Sequence, residues 1–192
     1  MSLIKIKHIL SLFLSVCARS LFFRRKKTTV LDFSPYINCF DKICNDDCGL
    51  QSVRSLCSFF QDELGVYEDI YDERKNKLII TTENGLIYNK LHQSYYLTKY
   101  NITIYSFLPE LLLCLFLEKY RIPCILSVKN KTTSIGHLVV VTWCTIKNHK
   151  IENITYYDSE TWKKYTLNRI QFLAIFNYRG ICIQPKKILT TR

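Results

Sequence analysis

Asp47-Cys48-Gly49 opens an amphipathic run from Leu50 to Leu64, which puts one thiol at the mouth of a helix. The unpaired amides of a first turn and the positive end of the helix dipole favour thiolate over thiol, and thiolate is the form that attacks carbonyl carbon. Asp46 and Asp47 act in the opposite sense, because nearby negative charge holds the proton on sulfur, so activation calls for a cationic partner. His137 and Asp158 can supply one. Strands at His137–Ile146 and Ile151–Asp158 are joined by a short polar link. With Lys147 and Asn148 as the two turn residues, the hairpin register sets His137 directly opposite Asp158, close enough for the carboxylate to fix the imidazole's tautomer and stabilise its cation. A four-residue turn sets Glu160 opposite instead, and a three-residue turn changes the face. Cys48, His137 and Asp158 then form an attacking sulfur, a base and an orienter for that base. Singly, each also has a structural reading, as a small core thiol, a partly buried strand histidine and a strand end.

The elements that must carry these residues follow from periodicity. Leu50, Val53, Leu56, Cys57, Phe60 and Leu64 make one buried helical stripe, and Gly65 is its left-handed stop. The spacing predicts a second helix over Glu83–Lys99 with Thr82 as cap, a strand over Ile102–Phe107, and an apolar helix over Glu110–Tyr120 opened by Pro109 and closed by Arg121 and Pro123. Strands follow at Cys124–Val128, His137–Ile146, Ile151–Asp158 and Gly180–Ile183, interrupted by a short helix over Asn168–Phe176. Helices first and an antiparallel sheet afterwards give an α+β architecture.

Length and composition bound the rest. A chain of 192 residues that is 48% hydrophobic buries one sizeable core, and the composition shift after the basic run divides it into segment 1–28 and a domain over 29–192. The 27 Lys+Arg against 16 Asp+Glu give a net charge of +11, but only Arg24-Arg25-Lys26-Lys27 is dense and no nucleic-acid reading motif accompanies it, so no nucleic-acid partner is expected. Nine cysteines cannot all pair internally, and several lie on apolar stripes, which favours a reducing, cytoplasmic or membrane-associated setting. Cys39, Cys44, Cys48 and Cys57 lack the paired knuckles of a zinc site, so no metal and no cofactor is expected. Residues 1–27 carry a short apolar core flanked by basic residues. Three readings stand for them: a signal peptide ending near Ala18, which implies export; an interfacial helix on a membrane surface; or a terminal helix docked on the domain. Sequons at Asn101, Asn130 and Asn153 matter only in a eukaryotic secretory pathway. Oligomeric state is not legible.

Three stretches also carry a family resemblance: Asp47-Cys48-Gly49-Leu50-Gln51-Ser52-Val53-Arg54-Ser55-Leu56, then Gly136-His137-Leu138-Val139-Val140-Val141, then Tyr157-Asp158. Over roughly residues 35 to 185 the chain resembles the C39-type, papain-like cysteine peptidases, a group that includes the leader-processing domains of bacteriocin exporters. The resemblance implies a papain-like fold with N-terminal helices packed on an antiparallel sheet. It also implies a peptide or protein substrate, Cys48 as nucleophile, His137 as base and Asp158 as orienter. In the exporters the cut follows a paired-glycine leader. Family members carry a glutamine six residues before the cysteine, whose amide helps build the oxyanion hole; Lys42 stands there in this chain. Lys42 or Asn45 is the candidate replacement donor, and loss of one such donor typically costs on the order of 100- to 1,000-fold in rate. Peptide hydrolysis is the first reading. A related amidase, deamidase or acyltransferase uses the same groups, and a papain-like module that binds a peptide or protein without turnover is the alternative from another class.

Overall fold

The computed structural model describes residues 28–40, 48–61, 96–129 and 136–186, with the backbone of four two-residue strands between 71 and 86. The expectations for residues 1–27, Lys42, Asn45, Gly65 and Asn130 lie outside the described residues. The strands are β1 (Thr28–Asp32), β6 (Tyr100–Tyr105), β7 (Ile125–Lys129), β8 (Gly136–Lys147), β9 (Lys150–Asp158), β10 (Lys163–Asn168) and β11 (Phe176–Pro185), with the short pairs β2 (Tyr71–Asp72) with β3 (Lys77–Leu78) and β4 (Thr81–Thr82) with β5 (Gly85–Leu86). The helices are α1 (Cys48–Ser58), α2 (Glu110–Tyr120) and α3 (Arg169–Ile175).

An antiparallel sheet in the order β10-β9-β8-β7-β11-β6 forms the body, and β8 is its spine. One edge of β8 is shared, its first half pairing with β7 and its second half with β1. The other edge pairs with β9. The Leu138–Val141 run is buried throughout, because α1 packs on β8 and covers a strand that is apolar on both faces. Leu50, Val53, Leu56 and Cys57 of α1 join Leu113, Cys114, Phe116 and Leu117 of α2 and the sheet residues in one core. Polar ties fix the outer elements. Arg169 grips Glu110 through two bonds of 2.8 Å each, the same carboxylate accepts from the Ile151 amide at 3.0 Å, and His149 meets Glu118 at 2.6 Å.

Most expected elements form, and the departures have physical reasons. Helix α2 has the expected bounds, with Arg121 turning left-handed at φ 51°. α3 starts after Asn168, whose side chain and that of Gln171 make reciprocal bonds with each other's amides. The helix expected over Glu83–Lys99 does not form as such: Gly85–Leu86 is a strand, paired with Thr81–Thr82, and Tyr96–Lys99 is a 3₁₀ turn leading straight into β6. The Asn84-Gly85 dipeptide is a turn signal that outweighs the helical spacing. The α1 helix ends at Ser58, short of Leu64, as Phe59, Phe60 and Gln61 close a tighter turn with Gln61 at φ 62°. β1 and β10 were not expected.

The β8–β9 hairpin turns on Asn148 and His149, both left-handed at φ 52° and 57°, and not on Lys147 and Asn148. This is the backbone that suits the strand twist in a two-residue hairpin. It shifts the register by two. One bulge at Glu152 and a compensating one at Thr142 then leave Val140 opposite Tyr157, so the ladder projects Glu160, and not Asp158, to the level of His137.

Candidate active site

Cys48 is the first residue of α1, as the Asp-Cys-Gly pattern predicts, and its side chain is half-buried. α1 is tied to the strand that carries His137 by the Ser52 hydroxyl, one turn on from Cys48, which donates to the Leu138 carbonyl at 3.0 Å in a buried setting. Further along the helix, the Ser55 and Ser58 hydroxyls accept from the Phe40 and Asn38 amides, and the Arg54 guanidinium lies 3.8 Å from the Phe40 ring centre. The stretch that leads towards the cysteine is thereby held to the helix.

His137 is only 7% exposed. Its Nε2 lies 2.6 Å from Asp158 Oδ1, and the imidazole also bonds the Cys48 side chain. A ring nitrogen has one in-plane bonding direction, so with Nε2 occupied by the carboxylate the sulfur faces Nδ1. Desolvation works against the charged imidazole, yet the hydrogen bonds and charges of Asp158 and Cys48 prevail and push its pKa up to about 10. At neutral pH His137 is a cation donating to Asp158. Asp158 shows the complement: burial works to raise its pKa, while His137, the Glu160 amide and the Thr161 side chain hold it below the ordinary carboxylate range.

The end of β9 explains why Asp158 reaches a histidine two register positions away. Asp158 Oδ1 accepts from the Glu160 amide at 2.9 Å and its carbonyl accepts from the Trp162 amide at 2.9 Å, a turn built by the aspartate on its own backbone. A two-residue offset keeps the side chain on the same face of the sheet, within diagonal reach. Glu160, from the same turn, puts Oε2 3.6 Å from His137 Nδ1.

Of the residues the sequence singles out, Cys48, His137 and Asp158 come together, and Lys42 and Asn45 lie outside the described residues. Sequence reading missed the buried serines of α1, although Ser52, Ser55 and Ser58 at intervals of three mark a polar stripe beside the apolar one. Among the described residues no group of three His, Cys, Asp or Glu side chains could hold a metal ion, and no helix is long and apolar enough to cross a membrane. Chemically, the arrangement offers a sulfur at a helix start, an imidazolium beside it and a buried carboxylate that holds the ring.

No family model matches the chain, and no curated protein matches its sequence. Solved structures do match. A double-glycine-motif protease from an AMS/PCAT transporter, crystallised with its leader peptide, superposes with a TM-score of 0.52 at 13% identity, over 78% of this chain and 92% of that one. The peptidase domain of Streptococcus ComA, a bifunctional ABC transporter of a quorum-sensing pathway, gives 0.55 at 14% identity over 79% and 99%. The peptidase domain of Streptococcus mutans ComA with a small-molecule inhibitor gives 0.50 at 14% identity over 77% and 99%. At such identities the likeness is one of fold, and the chain has the α+β fold of the C39 peptidase domains.

Proposed function

We propose that this chain is a thiol peptidase of the C39 type, with Cys48 as nucleophile, His137 as base and acid, and Asp158 as orienter. The observation that carries the reading is the buried imidazole bonded at once to the Asp158 carboxylate and the Cys48 side chain. The Cys48 sulfur adds to the scissile carbonyl carbon, and the developing oxyanion is met by the Cys48 backbone amide at the start of α1. As the C–N bond breaks, the imidazolium passes its Nδ1 proton to the departing amine and a thioester remains. The neutral imidazole then takes a proton from water, whose oxygen adds to the thioester carbon. Loss of the sulfur restores thiolate and imidazolium and frees the acid.

A peptide substrate is supported by the neighbour crystallised with its leader peptide, so peptides with a paired glycine before the cut are the first probe. The second reading, a module that binds peptide without turnover, is favoured by Lys42 in place of the glutamine that completes the oxyanion hole. The test starts with mild iodoacetamide at neutral pH, which is expected to modify Cys48 ahead of the other eight cysteines. Cleavage of a paired-glycine peptide set by the intact protein, lost in Cys48→Ala, establishes the peptidase. Selective labelling together with peptide binding but no cleavage in either protein establishes the binding module. Slow, uniform labelling removes the enzymatic reading.

A further inference from the structure

Asp158 meets His137 on a diagonal, two register positions from the residue opposite the ring, so strand pairing alone does not aim its carboxylate. The turn after β9 supplies the aim. Oδ1 accepts twice, from His137 Nε2 at 2.6 Å and from the Glu160 amide at 2.9 Å. A carboxylate oxygen has two in-plane lone pairs, so Oδ1 is filled, and the Thr161 hydroxyl, which also donates to this carboxylate, falls to Oδ2. The distinction matters because the torsion about Cβ–Cγ of an aspartate is broad. A carboxylate bonded at one oxygen still swings about that bond, whereas one bonded at both oxygens is fixed.

The remainder of the turn closes without the Thr161 side chain. The Trp162 amide donates to the Asp158 carbonyl at 2.9 Å, backbone to backbone, and Thr161 itself is exposed. Trp162 sits at φ 60°, so the chain accepts strain to close the turn just past Thr161. We infer that Thr161 is a positioning residue: its hydroxyl, on Oδ2, stops the Asp158 carboxylate from rotating and so keeps Oδ1 on His137 Nε2 and the ring set for the Cys48 sulfur. The inference rests on the proposed function for the reaction it serves, but the contact acts on the thiol site whether or not a peptide is cut.

Thr161→Val keeps the shape of the side chain and removes the donor, and Thr161→Ser returns the donor. Two readouts need no turnover, and thermal melts set conditions in which all three proteins are folded. The first is the proton NMR signal of the His137 Nε2–H that bonds Asp158, which lies far downfield in a short bond to a carboxylate. The second is the rate at which iodoacetamide alkylates Cys48, whose side chain bonds the same imidazole. In Thr161→Val the signal is expected to move upfield, and alkylation to slow about fivefold, water replacing part of the lost bond at this exposed position. Thr161→Ser is expected to restore both. Either readout unmoved in Thr161→Val overturns the inference, whatever peptides do, and so does a serine that restores neither. Cleavage of paired-glycine peptides supplies the third comparison, with kcat expected to fall in Thr161→Val and KM to stay. Both readouts moving and returning, with no peptide cut by any of the three proteins, uphold Thr161 as the positioning residue of the thiol site and overturn hydrolysis as the reaction.

Discussion

The Asp158 carboxylate and the His137 ring are joined by a bond of 2.6 Å that sets both the tautomer and the charge of the imidazole. Replacing Asp158 by Asn keeps the shape but removes the charge that favours the cation, so the His137 pKa falls from its value of about 10. In the proposed mechanism the imidazolium protonates the amine, so the high-pH limb of the pH–rate profile is expected near 10 in the intact protein and at lower pH in Asp158→Asn. The fall in kcat should be on the order of 100- to 10,000-fold. A limb that stays in place in the variant would mean that another group holds the proton. Trp162 gives a second case. At φ 60° a glycine relieves strain of about 1–2 kcal/mol but adds freedom to the unfolded chain worth about 0.5–1 kcal/mol. Trp162→Gly is therefore expected to raise stability in thermal melts by up to about 1.5 kcal/mol. What the sequence made legible here was chemical type and face. The His137–Asp158 contact forms although the expected register was off by two, because an even slip keeps every side chain on its side of the sheet. Glu160 at Nδ1 was legible only as one of three turn options, since its placement depends on a left-handed turn and two bulges that no composition marks.

Element by element, legibility tracked how much local chemistry marks each boundary. Helix α2 is bracketed by Pro109 and a left-handed Arg121, and α3 by reciprocal Asn168 and Gln171 caps, so both could be located within a residue or so. β10 was missed because only Tyr165 and Leu167 of its residues turn inward, half-buried, while Lys163 and Lys164 face solvent, the pattern of a protected edge. β1 was missed because Thr29 and Leu31 are its only inward residues and it follows directly on the basic run. The element that matters most to the site is α1, and its seating depends on Ser52. Removing that hydroxyl strips a buried carbonyl of a donor next to His137, which typically costs about 1–3 kcal/mol. Ser52→Ala is expected to lower the denaturation midpoint accordingly. It should also slow alkylation of Cys48 under conditions where the variant is fully folded, because the helix start shifts relative to the imidazole. Slower labelling in a folded variant separates seating from stability. A lowered midpoint with unchanged labelling would assign Ser52 to the core alone.

Across the whole molecule, the site and the cysteine-rich core give stability opposite dependences at the two ends of the pH scale. Asp158 and Glu110 titrate below their ordinary range in the folded state. Their contributions are present above the unfolded values of about 4 and are lost as the pH falls through the lowered folded values, because the unfolded chain then binds more protons. His137 runs the other way: its contribution is complete below the unfolded value of about 6.5 and drains away as the pH rises towards about 10. The buried thiols Cys114, Cys124 and Cys144 are pushed up by desolvation, so the folded state keeps protons that the unfolded chain releases above about pH 8.5. Stability should thus be greatest between about pH 4 and 6.5, decline gently to about 8.5, and fall more steeply beyond. Urea titrations of the intact protein under reducing conditions, repeated across this range, measure the profile. In His137→Gln the gentle decline between about pH 6.5 and 8.5 is expected to flatten while the steeper fall survives, since the thiols that cause it lie in the core and not at the site. A variant that keeps the gentle slope would show that the raised imidazole is not its source.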